Sequence, residues 1–196
     1  ALGADAEGWS LGDKVVCGGL GTFADYMVMP AERLRKIPDS LDFATAAATG
    51  SAYLTAYVGL VRRGVLRKNE WLLVHGAAGG VGLAAVDLGK YLGAKIIATA
   101  SSDEKLALIA ERFAPEAVIN INDGFREQVK KLTGGGADVI YDPVGGDVFD
   151  ESVRCIGWDG RLLVIGFADG RIPNIGVNMP LIKGFSVVGV RAGEYG

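Results

Sequence analysis

The chain has 196 residues, 49% hydrophobic and 22% charged, with a formal net charge of −3. That length holds one ordinary domain plus part of another around a sizeable core, and the composition excludes a disordered or fibrous chain. The 20 basic residues are scattered, which argues against nucleic acid or an anionic membrane as partner.

Two cysteines, Cys17 and Cys155, cannot build a disulfide framework, and without a C-x-x-C pair no structural zinc site is expected. The opening ALGADAEGW lacks the layout of a signal peptide. The most apolar window, Trp71 to Val86, is too short and glycine-broken to span a bilayer. A soluble, cytoplasmic protein is expected.

In chain order, the first 37 residues hold GDKVV and FADYMVMP, β-type runs with no helix between them, and IPDS marks a boundary. They read as a barrel-like domain entered midway, leaving 38–196 as a second domain. Residues 41–63 read as helical. From residue 70, strands are expected at 71–76, 94–100, 117–121, 137–144, 160–167 and 185–191. Helices are expected between them at 79–92, 103–113, 125–132 and 148–156. Strands alternating with helices read as right-handed βαβ units, and near-continuous apolar strands require burial on both faces. The fold class is therefore α/β, a doubly wound parallel sheet of Rossmann type. The strand at 185–191 is expected at its edge.

The stretch Trp71–Gly82, WLLVHGAAGGVG, places a glycine loop directly after a strand and at the start of a helix. Ala77 to Gly82 fits the dinucleotide fingerprint with Ala77 in place of the first glycine and Gly79 and Gly82 as the second and third. A side chain at Gly79 would keep a pyrophosphate from the helix N-terminal amides. The alternative is a tightly packed turn. In the helix that follows, Val81, Ala84, Ala85, Leu88 and Leu92 form an apolar stripe. Gly82, Val86 and Gly89 form a low-relief face suited to close approach, and Gly93 is placed to end the helix.

An NAD-binding chain of this type carries an acid at the end of the second strand to hold the ribose 2′-hydroxyl. Here that strand ends Ala98-Thr99-Ala100-Ser101-Ser102, and Lys105 lies one helical turn on. Two hydroxyls, a helix N-terminus and an ammonium group suit a 2′-phosphate, so NADP is favoured. Against this, Ser101 and Glu104 match a capping box, and Asp103 and Glu104 weaken the positive field.

GDKVV, GTFADYMVMPAERLRKIPDSLDFATAAATGSAYLTAY, HGAAGGVG, ASSDEK, DVIYDPVGG and GRLLVIGF follow one another as in the medium-chain dehydrogenases/reductases. The chain resembles their zinc-free quinone oxidoreductase, zeta-crystallin-like, branch over essentially its whole length. The resemblance implies that residues 1–37 are the remnant of a GroES-like catalytic domain and that the chain is incomplete at both ends. It also implies that Ala78, Gly79, Gly80 and Val81 meet the pyrophosphate and that Ser101, Ser102 and Lys105 meet the 2′-phosphate. Thr55, Val144, Gly166, Phe167 and Ala168 would approach the nicotinamide. Many relatives carry a tyrosine against the adenosine phosphate where this chain has Ile121. Zinc-dependent relatives carry a cysteine ligand near the position of Ser51, so no metal is expected.

The activity so implied is zinc-independent, NADPH-dependent hydride transfer to a quinone or enone, with a homodimer formed through edge strand 185–191. This chain would be mainly the cofactor-binding part, inactive by itself if the missing domain is required. The alternatives are an enoyl-thioester reductase of the same superfamily, and a non-enzymatic NADPH-binding or crystallin-like protein. No catalytic acid or base is assigned. His75, the single histidine, is read as a packed, hydrogen-bonded residue. Cys17 and Cys155 are read as core residues; Asp142 has two readings, a contact to the cofactor or the organiser of its turn. Tyr53 and Tyr57 are read as one helix face.

Overall fold

Near the start of the chain, β1 (Val15–Val16) pairs antiparallel with β2 (Arg35–Lys36), Val15 opposite Lys36. The computed structural model describes residues 1–4, 6–19 and 21–195, which form two compact units, Ala1–Ser51 and Ala52–Gly196. In the first unit the run FADYMVMP forms no strand, contrary to its β-type composition. Phe23, Tyr26 and Val28 stand exposed. Strand preference expresses packing on a half-buried pleated surface, and among the described residues no strand pairs with this run. The helix α1 (Phe43–Tyr57) opens with Asp42, whose carboxylate accepts bonds from the Thr45 amide at 2.7 Å and the Thr45 hydroxyl at 2.9 Å. These bonds hold the Asp42 carboxyl below the usual carboxylate range.

In the second unit the end of α1 passes into a π-helical segment, Val58–Arg63. Then come β3 (Trp71–Val74), α2 (Gly80–Tyr91), β4 (Lys95–Ala100), α3 (Asp103–Phe113) and β5 (Ala117–Asn120). After them lie α4 (Arg126–Thr133), β6 (Ala137–Asp142), α5 (Gly146–Cys155), β7 (Ile156–Val164), α6 (Asn178–Lys183) and β8 (Ser186–Gly189). Six strands form one sheet in the order β5-β4-β3-β6-β7-β8, and every neighbouring pair is parallel. This is the doubly wound Rossmann arrangement. Its order reverses between β3 and β6, and β8 lies at the edge as expected.

Both faces of the sheet are buried, which explains why its strands read as continuous apolar runs. Leu72, Val74, Ile96, Ala98, Val139 and Tyr141 face one cluster with Ala84, Ala85 and Val86 of α2. Leu73, Ile97, Ile119 and Ile140 face the other with Val129 of α4 and Phe149 and Val153 of α5. Alternation at period two supplies both faces from the same strands. Helix α2 lies close to the sheet because Gly89 has no side chain: a Cβ there would come 2.6 Å from Leu72 Cδ2. Gly93 follows α2 with φ +77°, as its position in the sequence predicted.

Two departures concern the end of the chain. β7 starts at Ile156 rather than at residue 160. Helix α6 has no counterpart in the sequence reading, because its Leu181 and Ile182 are exposed and give no buried stripe. It ends where Gly184 turns left-handed at φ +60° against the Trp158 ring.

Candidate cofactor site

The reversal of strand order leaves a crevice beyond the carboxyl ends of β3 and β6, the position at which open α/β sheets take up ligands. At β3 the chain is tied across it: the His75 amide donates to the Tyr141 carbonyl at 3.0 Å, and the Ala77 amide to the Thr99 carbonyl at 2.9 Å. Gly76 takes φ +55°, and the Gly79 amide closes the turn onto the Gly76 carbonyl at 2.9 Å. The left-handed residue needed by this turn is thus Gly76, one position before Ala77, which is buried in an ordinary conformation. The sequence alignment to the fingerprint puts Ala77 at the first-glycine position, which asks only that the turn tolerate a methyl group. The spacing Gly76-x-x-Gly79-x-x-Gly82 carried the signal.

The choice between packed turn and phosphate cradle is decided glycine by glycine. At Gly82 a Cβ would lie 2.3 Å from the Gly76 carbonyl oxygen and 2.8 Å from Ala77 Cα, so packing requires glycine there. At Gly79 the nearest atom is the Gly76 carbonyl oxygen at 3.3 Å, and at Gly80 nothing lies within 4 Å. Both are exposed, and Gly79, the N-cap of α2, has φ −81° and ψ 166°, open to any residue. Internal packing therefore requires glycine at Gly82, presses only lightly at Gly79 and leaves Gly80 unexplained. The first turn of α2 has no acidic residue, and its N-cap makes no side-chain bond. Unclaimed amides at the positive end of a helix dipole, beneath two bare glycines, fit a pyrophosphate. Ala78 and Val81 pack their side chains against the core on either side of these glycines.

At the end of β4 the capping residue is Ser102, not Ser101: its hydroxyl accepts from the Lys105 amide at 3.5 Å. The expected Ser101–Glu104 capping box does not form, because α3 begins at Asp103. Ser101 is exposed, Ser102 half-buried, and Lys105 exposed without an ion pair among the described residues. Two asparagines that the sequence reading passed over hold this turn from β5. Asn122 Nδ2 donates to the Ser101 carbonyl at 3.1 Å, and Asn120 Nδ2 to Asp103 Oδ1 at 2.8 Å. Ile121 packs its side chain against the core, so nothing at that position replaces a phosphate-binding tyrosine.

The loops after β6 and β7 are laced together. Asp142, buried, accepts from the amides of Val144 at 2.8 Å and Gly145 at 3.0 Å, which confirms it as the organiser of its turn. Burial pushes its carboxyl up, and the two amide bonds oppose that rise. The Ala168 amide donates to the Pro143 carbonyl at 3.1 Å and the Asp169 amide to the Val144 carbonyl at 3.0 Å. A Cβ on Gly166 would lie 3.3 Å from the Pro143 carbonyl oxygen, so glycine allows the two loops to meet. Val144 reaches back toward β3, its Cγ2 3.4 Å from where a Gly76 Cβ would stand. The structure thus brings Val144 beside the glycine loop, and Gly166, Phe167 and Ala168 against the loop that carries Val144. Thr55 lies half-buried on α1, and its neighbour Ala56 packs in the same cluster as Ala77.

His75 is fully buried between three elements. Ser152 donates its hydroxyl to the Val148 carbonyl at 2.7 Å and so accepts from His75 Nε2–H at 2.8 Å. Nδ1 is left to accept from the Thr99 hydroxyl at 2.9 Å. The imidazole is neutral, its pKa lowered to about 3 by burial. This is a satisfied core histidine and no general acid. Cys155 is buried, its thiol pushed up to about 12 by burial. Neither that thiol nor the imidazole is poised for chemistry near neutrality. Among the described residues, no group of three or more His, Cys, Asp or Glu side chains could hold a metal ion, and no helix is long and apolar enough to cross a membrane.

Comparison with known proteins agrees with this geometry. The family model of the zinc-binding dehydrogenases matches residues 80–195. The chain is 42% identical over 198 residues to a quinone oxidoreductase-like protein 2 homolog of Nematostella vectensis, covering 99% of this chain and 54% of that protein. It spans about half the length of the curated relatives that carry this name. A mycobacterial protein solved in complex with NADPH superposes with a TM-score of 0.87 at 29% identity, over 99% of this chain and 61% of that one. The CurK enoyl reductase superposes with a TM-score of 0.74 at 27% identity, over 85% and 50%.

Proposed function

Because the chain belongs to the zinc-binding dehydrogenase family of the medium-chain dehydrogenases/reductases, on their quinone oxidoreductase-like branch, we propose that it binds NADPH for zinc-independent hydride transfer to a quinone or enone. The observation that carries this reading is the uncapped N-terminus of α2 beneath the exposed Gly79 and Gly80, where a Cβ on Gly80 would meet nothing within 4 Å and one on Gly79 only the Gly76 carbonyl oxygen at 3.3 Å. Bound NADPH would supply the hydride from its dihydronicotinamide ring.

The chain's own residues bind and orient. Gly79, Gly80 and the first amides of α2 would hold the pyrophosphate, and Ala78 and Val81 would border it. Ser101, Ser102 and Lys105 would meet the 2′-phosphate. Val144, Gly166, Phe167 and Ala168, with Thr55, would bound the nicotinamide so that one ring face meets the substrate. His75 has its hydrogen-bonding capacity spent inside the fold, and Asp142 is committed through Oδ1 to the Val144 and Gly145 amides. The proton that completes the reduction therefore comes from solvent or from a residue outside this set.

An enoyl thioester is the second reading of the acceptor, favoured by the likeness to an enoyl reductase. NADPH oxidation assayed in parallel against a quinone, an enone and an enoyl thioester separates the two. In the full-length protein, turnover confined to the thioester would overturn the first, and turnover with none would overturn both. We further place the protein in the cytoplasm and assign it a homodimer through β8. The support for the dimer is that strand's position at the sheet edge, where unpaired backbone groups and the part-exposed Val187 invite a second copy. A monomer in sedimentation would refute it.

A further inference from the structure

The turn between β4 and α3 carries an acid that conflicts with a phosphate site. Asp103 is the first residue of α3, exposed, one position after the capping Ser102 and two before Lys105. A helix N-terminus favours any anion placed on it, so a free carboxylate here would compete with a 2′-phosphate for the same amides and repel it. A carboxylate at this end of the second strand also serves the ribose 2′-hydroxyl, which favours the unphosphorylated cofactor.

The carboxylate is not free. Asn120, the last residue of β5, donates from Nδ2 to Asp103 Oδ1 at 2.8 Å. The same asparagine accepts the Asn122 amide on Oδ1 at 3.1 Å, and Asn122 Nδ2 holds the Ser101 carbonyl at 3.1 Å. Asp103 makes no ion pair with Lys105, although the two stand on one helical turn. Both hydrogen-bonding capacities of the Asn120 amide are thereby used to fix one geometry. The acid is drawn toward β5, and Ser101, Ser102 and Lys105 keep the open side of the turn.

We propose that Asn120 is a positioning residue for cofactor choice: by engaging Asp103 from β5 it clears the Ser101–Ser102–Lys105 surface for a 2′-phosphate. This rests on the NADPH reading above and adds a residue that touches no cofactor itself. The residue acts through a charge, so its removal should affect the phosphorylated cofactor alone.

The test is the affinity for NADPH and for NADH, by titration calorimetry, of the protein and of Asn120→Ala, Asp103→Asn and the double variant. Asn120→Ala should weaken NADPH binding about three- to tenfold and leave NADH binding unchanged or slightly tighter. Unchanged NADH binding also shows that the variant is folded and its glycine loop intact. In the double variant, with the charge removed, the NADPH loss should disappear. A wild-type preference for NADPH with an unaltered ratio in Asn120→Ala would overturn the proposal alone. So would an equal loss for both cofactors, or a loss that persists without the Asp103 charge. Equal wild-type affinities would overturn the NADPH reading and this proposal with it.

Discussion

The carboxyl ends of β3 and β4 lie side by side in one sheet and are built by opposite means. Beyond β3 the site is backbone: glycines whose value lies in what they lack, anchored by amides that reach Tyr141 and Thr99. Beyond β4 the site is side chain: Ser101, Ser102, Lys105 and two asparagines, mostly at the surface. On the proposed reading, the first end would hold a dinucleotide and the second would select which one. A backbone site tolerates few substitutions, because each Cβ meets either the fold or the ligand. A side-chain site can be retuned one residue at a time.

The largest effect should separate fold from ligand at the β3 end. Gly82→Val drives a Cβ into the Gly76 carbonyl and should cost about 3 kcal/mol or more in urea unfolding. Gly79→Val, a short distance away, should leave stability within about 1 kcal/mol and weaken either cofactor at least about a hundredfold. If the Gly79 variant bound cofactor normally, the backbone end would be a packing turn and the contrast would vanish.

His75 anchors the backbone end and supplies a pH test. Its pKa falls from 6.5 to about 3 on folding, so between those values the unfolded chain binds the extra proton. Its contribution is present above pH 6.5 and is lost as pH falls toward 3, amounting to about 2 kcal/mol at pH 5 relative to pH 8. As the chain's only histidine, it gives one imidazole resonance, which should not titrate in the folded protein down to pH 5. Titration near 6.5 would show that the network is not closed.

The smallest effect has the opposite sign. The Tyr141 hydroxyl is buried without a hydrogen-bond partner among the described residues, its ring against Gly59 in the π-helical segment. Tyr141→Phe should raise stability by about 1 kcal/mol in urea unfolding, since it removes an unsatisfied polar group and little packing. A loss of similar size would mean the hydroxyl has a partner in solution.

The two ends also differ in how well they could be read from the residues. The near-continuous apolar runs alternating with helix-length segments predicted the parallel sheet, and the glycine spacing marked the turn after β3; the edge position of β8 and the bounds of α3 also agree with the sequence reading. Where the signal was a side chain, reading fell short. Ser101 and Ser102 are adjacent and chemically alike, and only the first helical residue shows which one caps α3. Asn120 and Asn122 act across the gap between two strands, a contact that no local pattern encodes. Helix α6 and the strandless run at 23–30 failed for one reason: most of their apolar residues, Leu181 and Ile182 in the first and Phe23, Tyr26 and Val28 in the second, are exposed, so their pattern reports no buried face.

The central claim is that the β3 end holds a dinucleotide and the β4 end selects its phosphorylated form. It is tested most directly by titrating the protein and its Lys105→Ala variant with NADPH and NADH. The account predicts tighter binding of NADPH by the wild type and a loss of about tenfold in that preference without Lys105, with NADH affinity unchanged. Equal affinities for the two cofactors in the wild type, or a variant that keeps the full preference, would contradict it.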